Sequence, residues 1–217
     1  MSKSSSQSGP GDLDDFLDPS SAKEEHIQPL DVRGWSLLPT LEFWQLFINL
    51  GLLSGVGLMT INNIGNDAQA LWAHYDDSVP PSFIQSRQLM HVSILSLASF
   101  VGRLLSGVGS DFIIKVLRRS RLWCLVAAGS IFAAAQICAI RIENPRNLWS
   151  VSGLTGLGYG MLYGVYPAMV SETFGVHGFS QNWGCMTLAP ILSGNVFNLL
   201  YGTLPCLSIF HPLLVMD

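Results

Sequence analysis

Ser96, Ser99, Arg103, Ser106 and Ser110 follow one another at spacings of three, four, three and four. Residues three and four apart share one face of an α-helix, so these five place a cation and four hydroxyls in a single polar stripe. Arg103 is the only charged residue between Gln88 and Ser110. A guanidinium in hydrocarbon costs a few kcal/mol and is usually retained where it lines a solute pathway or joins a buried pair. The alternative is that its long stem snorkels to the headgroups, since Asp111 lies about two turns further on.

Other polar groups recur in apolar surroundings. Tyr159, Tyr163 and Tyr166 fall at spacings of four and three, and Asn195 and Asn198 pair similarly. Such groups either hydrogen-bond a polar solute in a central cavity or join helices to one another, a role worth about 0.6 kcal/mol each. Asn49, His91 and Gln136 are single polar residues with the same two readings. Gly156, Gly160, Gly164 and Ala168 repeat every four residues, a small-residue face that lets a second helix approach closely. Pro167 removes a backbone donor near the end of that run, which predicts a kink.

No constellation for catalysis accompanies these groups. There is no Gly-x-Ser-x-Gly elbow, phosphate loop, zinc-ligand spacing or paired carboxylate in an apolar run. The glycines after Gly153 follow no strand, so they do not make a dinucleotide loop. Cys124, Cys138, Cys185 and Cys206 lie singly in apolar segments and read as free thiols. The chain is therefore not expected to be an enzyme, nor to hold a metal or cofactor.

The elements that position these residues follow from the distribution of charge. Of 217 residues 49% are hydrophobic and only 12% are charged, well below the ~25% a soluble domain uses to cover its surface. A net charge of −4 gives no basic footprint for nucleic acid. Five apolar runs stand out: 41–63, 88–110, 122–140, 148–170 and 179–201, each 19 to 23 residues long. About 20 residues of helix cross a ~30 Å hydrocarbon core, and in lipid such runs must be helical to satisfy their backbone groups. The expectation is an all-α, multi-pass integral membrane protein of about five transmembrane helices. Trp44, Trp123, Trp149, Trp183 and Tyr201 stand near segment ends as interfacial anchors.

Residues 1–40 form a polar leader rich in Ser, Asp and Glu that reads as disordered and cytosolic. Residues 202–217 are apolar but short, and Pro205 and Pro212 keep them from spanning as a regular helix. Lys115, Arg118, Arg119 and Arg121 concentrate in the connector after the second run, whereas 64–87 holds one basic residue. The positive-inside rule places that connector, and the N-terminus with it, in the cytosol.

Gly107 and Asp111 between two membrane runs, followed by Lys115, Arg118 and Arg119, resemble the cytoplasmic loop signature of the major facilitator superfamily. Phe112 departs from that signature, standing where a basic residue is common. The stretches 57–65, 171–175 and 179–184 resemble more narrowly the C-terminal six-helix half of fungal monocarboxylate-transporter homologues and the plant nodulin-like group. The resemblance covers roughly 41–201. It implies half of a major-facilitator bundle, working with a complementary half, that moves a small solute between the halves by rocking. It also implies a cytosolic gate made by Asp111 with Arg118 or Arg119 and Glu172, against the plainer reading of a solvated loop that only sets topology. Arg103, Ser99, Ser96, Tyr159, Tyr163 and Asn195 become the candidate pathway residues, and a monocarboxylate-like anion the candidate solute. The chain reads as an incomplete copy, one helix short of a half. Fungal relatives of this kind point to a vacuolar or plasma membrane. The alternative is a membrane adaptor or receptor-like protein that kept the packing and lost the pathway.

Overall fold

The computed structural model describes residues 34–76, 80–116, 118, 120–142 and 144–203. These fold into α1 (Leu41–Tyr75), α2 (Pro81–Lys115), α3 (Leu122–Arg141), α4 (Leu148–Phe174), α5 (Phe179–Met186) and α6 (Leu188–Thr203), with no strand among the described residues. α1, α2 and α3 are each long and apolar enough to cross a membrane. The protein is an all-α integral membrane protein. Most of the leader and the tail from 204 onward lie outside the described residues, and Cys206 with them. The leader's last residues are ordered, however: Gly34–Leu37 makes a 3-10 turn, and Leu37 is buried beneath it.

The helices outrun the apolar segments that announce them. The stretch 64–87 lies between two apolar runs and reads from its polar residues as a loop, yet α1 continues to Tyr75 and α2 begins at Pro81. At 1.5 Å per residue each of these 35-residue helices is about 52 Å long, well beyond the hydrocarbon. Ile64, Ala68, Leu71 and Trp72 are buried, so an apolar stripe at helical spacing carries α1 past the polar residues between them. Pro81 suits the first turn of α2, where a missing N–H costs nothing.

The fifth segment is two helices, not one. Pro190 has no N–H to give the Met186 carbonyl, and its ring crowds that carbonyl, so the chain breaks at Thr187 between α5 and α6. Pro167 sits inside α4 without ending it. α4 ends instead at Gly175, whose φ of 89° is left-handed and favours glycine, while its N–H closes on the Ser171 carbonyl at 3.1 Å.

α2 packs most extensively on α4, α1 on α6, and α3 on α4. Helices two or four crossings apart must run parallel, and they do. The α2–α4 contacts rise together along both chains, from His91–Ser152 at one end to Ser106–Gly164 near the other. Small residues set the spacing of that contact. A methyl on Gly156 or Gly160 would run into the Leu95 or Ser99 carbonyl, and one on Gly102 would meet the Leu157 carbonyl. Association in lipid rests on such close packing, because the hydrophobic effect gives no preference for helix over acyl chain. The principal core lies between α1, α3 and α4, built on Leu50, Phe132, Leu162, Val165, Tyr166 and Met169. Large apolar side chains such as Leu97, Phe100, Leu104 and Val108 are exposed on α2, as a lipid-facing surface requires.

Candidate functional site

Half-way along the bundle, four helices bring polar side chains to one level. Ser54, Arg103, Tyr163 and Ser193 each stand eleven to fourteen residues from the same end, on α1, α2, α4 and the α5–α6 pair. Tyr163 lies close enough to Ser54, Tyr159 and Arg103 for each to act electrostatically on its hydroxyl. Tyr159 and Tyr163 lie with ring centroids 4.7 Å apart. Ser54 bonds its own helix at the Leu50 carbonyl (2.5 Å) and lies 3.5 Å from Ser193.

The polar stripe of α2 divides on folding. Ser106 and Ser110 are fully buried, and both donate to carbonyls of their own helix, Arg103 and Gly107. Ser99 is half-buried against Gly160. Ser96 and Arg103 are exposed along the rim of the α2–α4 contact. Arg103 has no carboxylate within ion-pair distance among the described residues.

The remaining polar candidates are distributed between site and packing. Tyr166 is fully buried and donates to the Leu46 carbonyl at 3.1 Å, so it ties α4 to α1. Asn195 is exposed and bonds its own helix at Ile191, whereas Asn198 accepts from Asn63 across α1–α6 at 3.2 Å. Gln136 donates to Thr60 at 3.2 Å, and His91 shares a 3.1 Å hydrogen bond with Ser152.

At the end of the bundle where α2 stops and α3 begins, one cation gathers three partners. Arg121 Nε donates to Glu172 Oε1 at 2.7 Å, its Nη1 to Ser110 Oγ at 2.7 Å, and its Nη2 to Asp111 Oδ1 at 3.4 Å. Arg118, which the signature pairs with Asp111, is exposed and takes a left-handed φ of 50° instead; Arg119 lies outside the described residues. Lys115 is exposed at the last turn of α2, and a methyl added at Gly107 would touch nothing. Arg121 belongs to the same basic connector as Arg118 and Arg119 and stands immediately before α3, so helical spacing along α2 does not link it to Asp111. Glu42 and Asn49 line an open recess of ≈700 Å³ beside this cluster, together with Arg121 and Glu172.

Sequence reasoning also missed Asp67 and Tyr201. Asp67 falls on the extended part of α1, and the Tyr201 hydroxyl donates to its Oδ1 at 2.5 Å. Thr60, Asn63 and Asp67 recur at spacings of three and four, a helical signal hidden by the run of polar residues around it.

No protein-family model matches the chain. It is similar to a membrane protein of Saccharomyces cerevisiae described as uncharacterized, 33% identical over 214 residues that cover 91% of this chain and 39% of that protein. It is also similar to proteins named probable transporter MCH1. That of Candida albicans is 31% identical, over 86% of this chain and 35% of the relative. That of Aspergillus fumigatus is 27% identical, over 73% and 30%. The chain thus spans 30 to 39% of the length of these relatives.

Proposed function

We propose that this chain is the second half of a major-facilitator transporter and carries one wall of a pathway for a small anion of the monocarboxylate type. Arg103 carries this reading. It is an exposed guanidinium half-way along a membrane-spanning helix, without an acidic partner among the described residues, beside hydroxyls from α1 and α4. Lipid does not reward that placement, whereas a carboxylate in a water-filled cavity does. The fork of the guanidinium suits a planar carboxylate in two parallel hydrogen bonds, with Tyr163 and Ser54 positioned to fix its orientation. Relatives named as probable transporters agree with the class of activity. The Arg121 cluster joins the ends of α2 and α4 on the side read as cytosolic, and serves as the gate that closes that end.

The test is uptake of labelled lactate into liposomes holding this chain with a co-expressed first half. Charge-assisted hydrogen bonds contribute ~1.5–3 kcal/mol, so Arg103→Gln should lower uptake by roughly ten- to a hundredfold. Uptake unchanged by that substitution removes Arg103 from the pathway. No uptake in the unsubstituted preparation removes the monocarboxylate reading.

A further inference from the structure

We infer that the recess between the end of α1 and the start of α2 seats the phosphate of a membrane phospholipid. This goes beyond the transport reading and does not depend on it.

The recess has a volume of ≈670 Å³ and lies at the end of the bundle away from Arg121. Trp72 of α1, Asp76 just beyond it, Phe83, Arg87 and Met90 of α2, and Arg146 ahead of α4 form its walls. Arg87 is half-buried, with its guanidinium carbon 4.6 Å from the centre of the Phe83 ring and 5.8 Å from that of Trp72. Attraction to a ring face uses the charge of the guanidinium and leaves its five N–H groups to find acceptors. The acceptor that Arg87 reaches is the Met90 sulfur at 3.7 Å, a weak one. Neither Arg87 nor Arg146 has a carboxylate within ion-pair distance among the described residues. The Trp72 indole N–H, in the same wall, is buried and has no acceptor among the described residues. Asp76 brings one negative charge against the two guanidiniums, so the charged side chains of the walls leave one positive charge unbalanced. Two guanidiniums from separate elements, rich in unmet donors, match the several acceptor oxygens of a phosphate.

Depth and surroundings say where that phosphate comes from. Arg87 stands 11 residues from Ala98, the middle of α2, and Trp72 stands 14 from Leu58, the middle of α1. Those are about 17 and 21 Å of helix, where a ~30 Å hydrocarbon core has given way to the headgroups. Met90 belongs both to the recess and to a strip that runs from it toward the membrane centre. Met90, Leu97, Val101 and Leu104, at intervals of seven, four and three, are all exposed on one face of α2. A lipid whose phosphate sits between Arg87 and Arg146 lays its acyl chains on that strip. A free anion has no use for it.

The chain purified in maltoside detergent is titrated with dihexanoylphosphatidylglycerol, and bound lipid is counted by native mass spectrometry. Saturable binding of one lipid is expected. Arg87→Gln and Arg146→Gln should each weaken it about ten- to a hundredfold, the loss of one charge-assisted hydrogen bond. Arg146 is exposed on a short turn, so its substitution carries the test if Arg87→Gln does not fold. Affinity unchanged in every variant that folds overturns the site. Dihexanoylglycerol, which lacks the phosphate, should not bind, and equal binding of it removes phosphate recognition. Inorganic phosphate that displaces the lipid at a comparable concentration would make this a site for a free anion and overturn the phospholipid assignment.

Discussion

Arg121 and Glu172 meet at 2.7 Å, and through that pair the start of α3 is fastened to the end of α4. The same guanidinium reaches Ser110 and Asp111 at the end of α2, so three helix ends converge on one side chain. Arg121 itself is 17% exposed, but the two acids are half exposed, so water weakens the pairing. A double-mutant cycle of Arg121→Gln and Glu172→Gln, followed by thermal unfolding in detergent, should give a coupling of about 0.5–1 kcal/mol at low salt. It should shrink in 1 M salt, where the Debye length falls to ~3 Å. A coupling that is indifferent to salt would show that the contact is held by shape rather than charge.

Gly160 and Gly107 are both glycines of membrane helices, and they should respond differently to a methyl group. At Gly160 the methyl runs into the Ser99 carbonyl, and neither backbone yields without moving a helix; at Gly107 it meets nothing. Gly160→Ala should cost about 1–3 kcal/mol of stability through overpacking, and Gly107→Ala should cost none. Unfolding temperatures of the two purified variants check this, and equal values would show that the α2–α4 contact is looser than described.

Tyr166 isolates a packing role from a pathway role. Its hydroxyl is spent on the Leu46 carbonyl and its ring fills the α1–α4 core. Tyr166→Phe should cost about 0.6 kcal/mol, the average for an interhelical hydrogen bond in a membrane protein, while Tyr166→Ala opens a cavity and costs about 3–5 kcal/mol. Lactate uptake by Tyr166→Phe should equal that of the parent. A lasting defect in uptake at unchanged stability would move Tyr166 into the pathway.

Arg103→Lys separates charge from geometry. Lysine keeps the cation and loses the planar fork, so binding of a carboxylate should weaken by about tenfold while the unfolding temperature stays put. Stability is expected to be indifferent because Arg103 is exposed and pairs with no acid among the described residues. Half-saturating lactate concentrations across the two variants give the measurement, and a loss of fold in Arg103→Lys would count against a pathway role.

The class of protein was legible in the residues alone. Charge-poor runs of about 20 residues leave the backbone no solvent but itself in lipid, which dictates helices, and each of the first four runs lies in one helix while the fifth is divided at Thr187. Gly156, Gly160 and Gly164 also declared a packing face, because an interval of four is a geometric statement about one helix. Which partner that face meets was not in the interval: α2 provides it, and only the assembled bundle says so. The same limit divided the stripe on α2, where helical spacing grouped Ser106 with Arg103 but the neighbouring α4 buried the one and left the other at the rim. Helix ends were hidden too. Asp67 lies in a polar stretch that hydropathy assigns to a loop, and it is helical because Ile64, Ala68 and Leu71 find apolar partners on other elements. Charge pairing was the least legible of all: the basic residues of one connector look alike in sequence, and only the meeting of three helix ends in space chose Arg121. Local periodicity belongs to one segment of chain, whereas burial and pairing belong to two or more, and no single segment contains its partner.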